Sequence, residues 1–308
     1  MNVNKDIKVN KKRKYSTADR IFFAIAYTVF FLLALICIYP FYYLVINTIS
    51  RNDYVDLGLV MYKPVGFHIN NYINMFKLDN VVNSLFISVS RTILGTALPL
   101  VTTAILGYLF TKEHMKHRKF LYRMTIITMY FSAGMIPVYM NIKMLGLLNN
   151  YWVYIIPGLI RVYNMVLVKT FIESLPASLE ESAQIDGAGY VRRFVSIVFP
   201  LSKPILATVG LFSAVSAWNS YMDTLLYITN SKLYTLQFTL YEYLNQATAI
   251  ASSINSMTDM SMLDRATQIS TTSVRNTMAI VTILPIICVY PFIQRYYVQG
   301  MMIGAVKG

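Results

Sequence analysis

Six stretches of this sequence are apolar for longer than a soluble core element requires: near residues 21–49, 82–111, 120–142, 151–172, 203–229 and 274–297. About 20 apolar residues wound as a helix cross the roughly 30 Å of hydrocarbon in a bilayer. Backbone N–H and C=O groups find no water there, so every spanning segment must be helical. The expected fold is all-α, a polytopic membrane protein with six transmembrane helices. Composition agrees, because 56% of the 308 residues are hydrophobic and 13% charged, too few charges to coat a soluble protein of this length. Cys37 and Cys288 lie deep inside apolar runs and read as small packing or lipid-facing residues, not as a disulfide.

The 27 basic against 14 acidic residues give a net charge of +13, which raises nucleic acid as a partner. The basic residues instead sit in short runs between apolar blocks, the pattern of positive-inside membrane proteins, so no nucleic acid is expected. Lys5, Lys8, Lys11, Lys12, Arg13 and Lys14 form a basic leader. Lys112, Lys116, Arg118, Lys119 and Arg123 follow the second stretch, and Arg192, Arg193 and Lys203 follow the fourth. The alternate links are poorer, with Arg51, Lys63 and Lys77, then Lys143, then Lys232 and Arg265. This places both termini in the cytoplasm of a multi-pass cell-membrane protein, with links 50–81 and 230–273 outside. Residues 1–20 read as a basic cytoplasmic tail and 21–308 as one transmembrane domain. The run 21–49 is too long for a signal-peptide core and lacks a small-residue cleavage site, so it is expected to stay as an anchor. The outer link is rich in Ser, Thr, Asn and Gln, with helical character over 238–251.

The link over about 173–204 carries the most information. Ser178 followed by Glu181 has capping-box spacing, and Asp186-Gly187 supplies a left-handed stop, so a short helix is expected between them. A second helix is expected over 190–199, ended by Pro200 and Pro204. Val191, Phe194, Val195 and Val198 form its apolar face, with Arg192, Arg193 and Ser196 on the other side. The result is a helix–turn–helix under the membrane, whose protruding turn suits a groove on another protein.

Glu181-Ser182-Ala183, two further residues, then Asp186-Gly187-Ala188, an aromatic, an Ile and two prolines resemble the EAA loop of permeases of ATP-driven (ABC-type) importers. The resemblance implies a type I importer permease whose coupling helix, at Glu180, Glu181, Ser182, Ala183, Asp186, Gly187 and Ala188, seats in a cleft of an ATPase. Ser182 departs from the Ala more common in that family. Residues 131–139, 145–148, 217–223 and 300–308 are similar to one branch of carbohydrate permeases, which imports complex oligosaccharides, with Ala133 replacing a common Gly. That branch implies a second homologous permease, two cytoplasmic ATPases, an extracellular sugar-binding lipoprotein and an oligosaccharide cargo. A non-sugar cargo such as a peptide remains the alternative, because the EAA loop does not choose cargo. No Gly-x-x-x-x-Gly-Lys-Ser/Thr loop occurs, so ATP and Mg are assigned to the partner ATPase, with no cofactor and no catalytic residue in this chain. Acidic residues are almost absent from the apolar stretches, against a secondary transporter. Three histidines and scattered serines assemble no catalytic constellation.

Polar side chains in a span face a cavity or a partner. The fifth stretch gathers Trp218, Asn219, Ser220, Tyr221 and Asp223. An aromatic face there can stack on a sugar while amide and carboxylate bond its hydroxyls; alternatively Trp218 and Tyr221 belong to an interfacial belt and Asn219 ties helices together. Arg161 falls mid-way along the fourth stretch, with Asn164 one turn on. Arg161 either faces the path, pairing with Asp223 or meeting substrate oxygens, or forms an ion pair with a companion permease. His114 and His117 lack further ligands nearby and read as part of a solvated basic loop, with no metal expected. Pro137 is expected to kink the third span.

Overall fold

The structure, a computed structural model, describes residues 16–78, 80–254 and 271–305. The basic residues of the leader, Arg265 and the final residues of the tail lie outside them. Among the described residues every regular element is helical. The chain divides into two units, up to His68 and from Ile69 onward.

In the first unit, α1 (Thr17–Thr48) has 32 residues and so reaches ~48 Å. The Asp19 carboxylate accepts the Ser16 backbone N–H at 3.0 Å, placing negative charge at the positive end of the helix. None of its apolar window is buried within this chain. Ser50 turns the chain after α1. Its hydroxyl donates to the Ile46 carbonyl at 2.5 Å and accepts the Val65 N–H at 3.1 Å. The short α2 (Asn52–Asp56) follows, and Ile46, Val55 and Val60 pack together beneath the turn.

The second unit runs α3 (Asn70–Lys77), α4 (Val81–Leu109), α5 (Arg118–Tyr130), α6 (Met135–Met144), 3₁₀ turns at Tyr151–Tyr154 and Ile156–Gly158, and α7 (Val162–Glu173). It continues with α8 (Ala177–Ile185), α9 (Tyr190–Leu201), α10 (Lys203–Asn219), α11 (Met222–Tyr227), a 3₁₀ turn at Ser231–Leu233, α12 (Leu236–Ile254) and α13 (Thr271–Ala305). α4 is the central element and packs on α10, α7 and α12, while α13 covers α10 and α12. Small residues let these helices approach, as expected where lipid removes the hydrophobic drive between helices. A Cβ added at Gly107 would lie 3.0 Å from Val168 Cγ1 and 3.3 Å from the Lys169 backbone nitrogen. At Gly95 the nearest neighbour would be Ala217 Cβ at 3.7 Å, and at Gly210 Leu100 Cδ2 at 3.6 Å.

Helical character over the outer link is found as α12, and its continuation 255–270 lies outside the described residues. Among the described residues, three of the apolar stretches are continuous helices long enough to span: Thr17–Thr48, Val81–Leu109 and Thr272–Pro291. The fourth is bent by 46° between Tyr151–Gly158 and Val162–Glu173. The fifth begins at a 77° bend between Tyr190–Leu201 and Lys203–Asn219, and is interrupted again before α11. The third is two helices of 13 and 10 residues, ~20 and ~15 Å, each too short to cross alone. Its break lies at 131–134, upstream of Pro137, which sits in the first turn of α6. The chain turns extended at Phe131, and Gly134, just before α6, takes φ +83°, which a residue with a side chain rarely adopts. Cys37 and Cys288 are free and exposed on the protein surface.

The Gly107 approach generates a test. Gly107→Leu should force α4 and α7 apart and cost about 1–3 kcal/mol, read as a lowered thermal unfolding midpoint in detergent, whereas Gly210→Ala, with ordinary spacing, should change little.

Candidate functional site

Two regions carry the candidate chemistry, a polar cavity among the broken helices and the loop around α8. The cavity has a volume of about 280 Å³ and is lined by Arg91, Tyr154, Arg161, Ser220, Asp223 and Tyr227 among others. Arg91, on α4, is only 2% exposed. Its guanidinium donates from Nη1 to the Ser220 carbonyl at 2.9 Å and from Nη2 to the Asp223 carboxylate, and lies 4.5 Å from the centre of the Tyr154 ring. The Ser220 hydroxyl also donates to Asp223, at 3.1 Å. The Tyr154 hydroxyl donates to the Leu233 carbonyl at 2.8 Å and meets Thr224 Oγ1 at 2.9 Å. Arg91 is buried and Asp223 partly exposed; these neighbours satisfy part of the pair's hydrogen bonding, and Arg91 Nε is left without an acceptor.

Asp223 is thus held by Arg91, not by Arg161. Arg161 is not inside a helix: it precedes α7 at the break in the fourth stretch and lines the cavity half-exposed. Sequence reasoning misses Arg91, although an arginine inside the apolar stretch 82–111 is the same kind of signal as Arg161. The remaining expected path residues do not line this cavity. Asn164 is buried and donates to Ser213 Oγ at 3.4 Å, tying α7 to α10. Trp218 is buried, donates from Nε1 to the Thr282 carbonyl at 2.9 Å, and lines a separate apolar cavity of about 100 Å³ against α13. Asn219 is exposed, and Tyr221 stacks on Tyr241 with ring centres 4.8 Å apart.

In the second region α8 starts at Ala177 after Pro176, which puts Ser178 inside the first turn; no capping box forms with Glu181. The helix is fastened through the neighbouring carboxylate instead. Glu180 accepts the Tyr108 hydroxyl at 2.7 Å and pairs with the Lys112 ammonium, which itself lies 4.1 Å from the centre of the Tyr108 ring. Tyr108 and Lys112 stand at the end of α4, so the loop is tied to the helix that carries Arg91. The far end closes as expected, with Gly187 at φ +79°. The Ala188 N–H reaches the Ala183 carbonyl at 2.9 Å and the Gly187 N–H the Gln184 carbonyl at 3.0 Å, the paired bonds of a Schellman stop.

Glu181, Ser182, Asp186 and Gly187 are exposed, and Ile185 beside them is 87% exposed, a large apolar side chain at the tip. The motif does not single out Ile185; an Ile just before an Asp-Gly turn is the available signal. The apolar face expected over 190–199 is only partly found. Val198 is buried, but Val191 and Val195 are exposed, and Arg193 is buried with Nη1 donating to Gln184 Oε1 at 2.9 Å. Phe194–Val198 is wound as a π-helix, so a reading at 3.6 residues per turn loses phase there. The bend falls at Ser202, between Pro200 and Pro204. No cluster of three or more His, Cys, Asp or Glu able to hold a metal occurs among the described residues.

An all-helical set of broken spans around a polar cavity, with a protruding loop tied to the central helix, defines a membrane transport subunit. Comparison specifies it: residues 87–303 match the model of the binding-protein-dependent transport system inner membrane components, and the chain belongs to that family. It is 33% identical over 290 residues to the polygalacturonan/rhamnogalacturonan transport system permease protein YtcP of Bacillus subtilis (strain 168), covering 94% of this chain and 99% of that one. Protein LplC of the same organism is 35% identical over 273 residues, 89% and 90% of the two chains. A chain in the crystal structure of a bacterial ABC transporter involved in the import of the acidic polysaccharide alginate superposes with a TM-score of 0.81 at 28% identity, covering 92% of this chain and 99% of that one.

Burial pushes the Glu180 carboxyl up, but hydrogen bonds from Lys112 and Tyr108 and the positive charges of Lys112 and Arg193 together outweigh it and hold it below its ordinary 4.5. A carboxyl lowered on folding adds stability that is complete above the ordinary value and is lost as pH falls through the lowered one. Glu180→Gln should therefore lower the unfolding midpoint at pH 7, and the gap from wild type should close as the pH falls from the ordinary value through the lowered one.

Proposed function

We propose that this chain is one of two permease subunits of an ATP-driven importer for oligosaccharides, and that α8 and the following turn are its coupling helix. The observation that carries the reading is the linkage through α4. The exposed tip at Ile185–Gly187 is fastened by Glu180 to Tyr108 and Lys112, and the same helix bears Arg91 at the cavity. Residues 91 and 108 are ~26 Å apart along the continuous helix α4, with Pro99 between them, so a displacement of the loop has a single packed element through which to reach the cavity. The tip presents one apolar side chain between Glu181 and Asp186, chemistry suited to a groove on a partner.

In this reading the loop and both termini face the cytoplasm, where two ATPase subunits hold ATP and Mg. A second, homologous permease completes the path, and an extracellular sugar-binding lipoprotein delivers the cargo. The permease performs no chemistry. ATP-driven closure of the ATPases moves the coupling helix, and the cavity changes the side to which it opens. The relatives' glycan cargoes support an oligosaccharide and do not favour a peptide.

Gentle solubilisation of the chain from its own membrane, followed by mass spectrometry of everything retained, tests the proposal. A second permease, an ATPase, a binding lipoprotein and a bound glycan are expected. A chain that is recovered alone and transports unaided would contradict it.

A further inference from the structure

α8 contributes no buried side chain, so apolar packing does not hold it to the rest of the chain. A helix of nine residues is marginal by itself in water, and polar contacts must fix it. Glu180 supplies one, to Tyr108 and Lys112 at the end of α4. Gln184 supplies another, its Oε1 accepting Arg193 Nη1 at 2.9 Å. Residues four apart share a helix face, so both fastenings lie on one side of α8. One contact alone would be a pivot. Two contacts a turn apart fix the rotation of the helix as well as its place, and the second sits beside Ile185 at the exposed tip.

Arg193 is built into this position. It is buried, and its guanidinium lies 4.5 Å from the centre of the Tyr190 ring. It is also the last residue before the π turn Phe194–Val198. Spacing at 3.6 residues per turn puts Arg193 on the solvent side, whereas the structure turns it toward Gln184; π turns inside helices concentrate at functional positions. The positive charge of Arg193 also acts on Glu180, so the two fastenings support each other. Through Arg193 the tip is tied to α9, whose chain continues through the bend at Ser202 into α10. α10 gives Ser216 and Ala217 to the wall of the polar cavity, and α4 gives Arg91. The tip is therefore joined to two walls of that cavity by separate routes.

We infer that Arg193 and Gln184 are positioning residues of the coupling turn: their bond sets the rotation of α8 and hands a displacement of the tip to α9 and α10, beside the route through Glu180 and α4. The inference rests on the reading of α8 as the coupling helix. Neither residue belongs to the motif over Glu181–Ala188 by type, and the pair is visible only once the π turn is in place.

Two measurements on Arg193→Gln, Gln184→Ala and Gln184→Glu test it. Amide hydrogen exchange of the full-length chain in detergent reads the fastening itself. Exchange over 181–188 is expected about five- to tenfold faster in Gln184→Ala and Arg193→Gln, with α7 unchanged. Alanine is the better helix former, so loosening by Gln184→Ala does not come from helix propensity. Transport per ATP hydrolysed by the complete importer in proteoliposomes is expected to fall about threefold or more in the same two variants. It should stay near wild type in Gln184→Glu, which keeps the acceptor. Unchanged exchange in both variants overturns the inference and leaves the coupling-helix reading intact. A transport ratio that falls as far in Gln184→Glu as in Gln184→Ala also overturns it. Faster exchange with an unchanged ratio overturns the inference and the coupling-helix reading together. If Arg193→Gln speeds exchange in α7 as well, Gln184→Ala decides, because Gln184 is exposed and its loss leaves the core untouched.

Discussion

A backbone carbonyl freed by a broken helix inside a membrane has no water to turn to, and this fold answers that constraint with side chains from one helix. α4 is continuous from Val81 to Leu109, and the stretches packed on it are not. Where α10 ends, Arg91 Nη1 takes the Ser220 carbonyl. Where the fourth stretch breaks, Thr102 Oγ1 takes the Leu159 carbonyl at 2.5 Å. Irregular backbone at membrane depth is tolerated where it lines a cavity or is covered by protein, and both breaks lie beside the cavity lined by Pro157, Gly158 and Ser220.

The Arg91–Asp223 pair follows from the same constraint. Arg91 serves a carbonyl and a carboxylate at once, so its charge is neutralised at the point where its donors are needed. Removing one partner of a buried pair leaves the other uncompensated, which makes the pair a lock on cavity shape more than a source of net stability. At the other end of α4, Tyr108 and Lys112 hold Glu180 in a partly exposed version of the same arrangement. One rod thus has a cavity lock at one end and a loop clamp at the other, which is the mechanical content of the proposed coupling.

Much of this was legible in sequence. The apolar stretches place the membrane segments, and the Asp186-Gly187 stop falls where its spacing puts it, at Gly187 φ +79°. The helix breaks were not legible, because hydropathy counts apolar residues and is blind to whether Ser132, Ala133 and Gly134 sit in a helix or between two. Phase was lost at Phe194–Val198, where the chain winds as a π-helix and Arg193 turns inward. Pairing was not legible either. Asp223 had two arginines within reach of a sequence argument, and only packing against α4 selects Arg91 over Arg161. Trp218, an aromatic in a polar cluster, turns toward Thr282 on α13 for a reason of local packing that its neighbours in sequence do not announce.

The central claim is that the polar cavity lined by the Arg91–Asp223 pair is the aqueous path and that it changes access with ATP. Replacing Cys37 and Cys288 by Ser leaves a background in which Ser216→Cys, in the cavity wall, is the only thiol on this chain. Its labelling by a membrane-impermeant thiol reagent is then measured in the assembled importer, with and without ATP. The account predicts labelling from one side of the membrane at rest and a several-fold change in rate when ATP is bound. A thiol that reacts from neither side, or at a rate that ATP leaves unchanged, would contradict it.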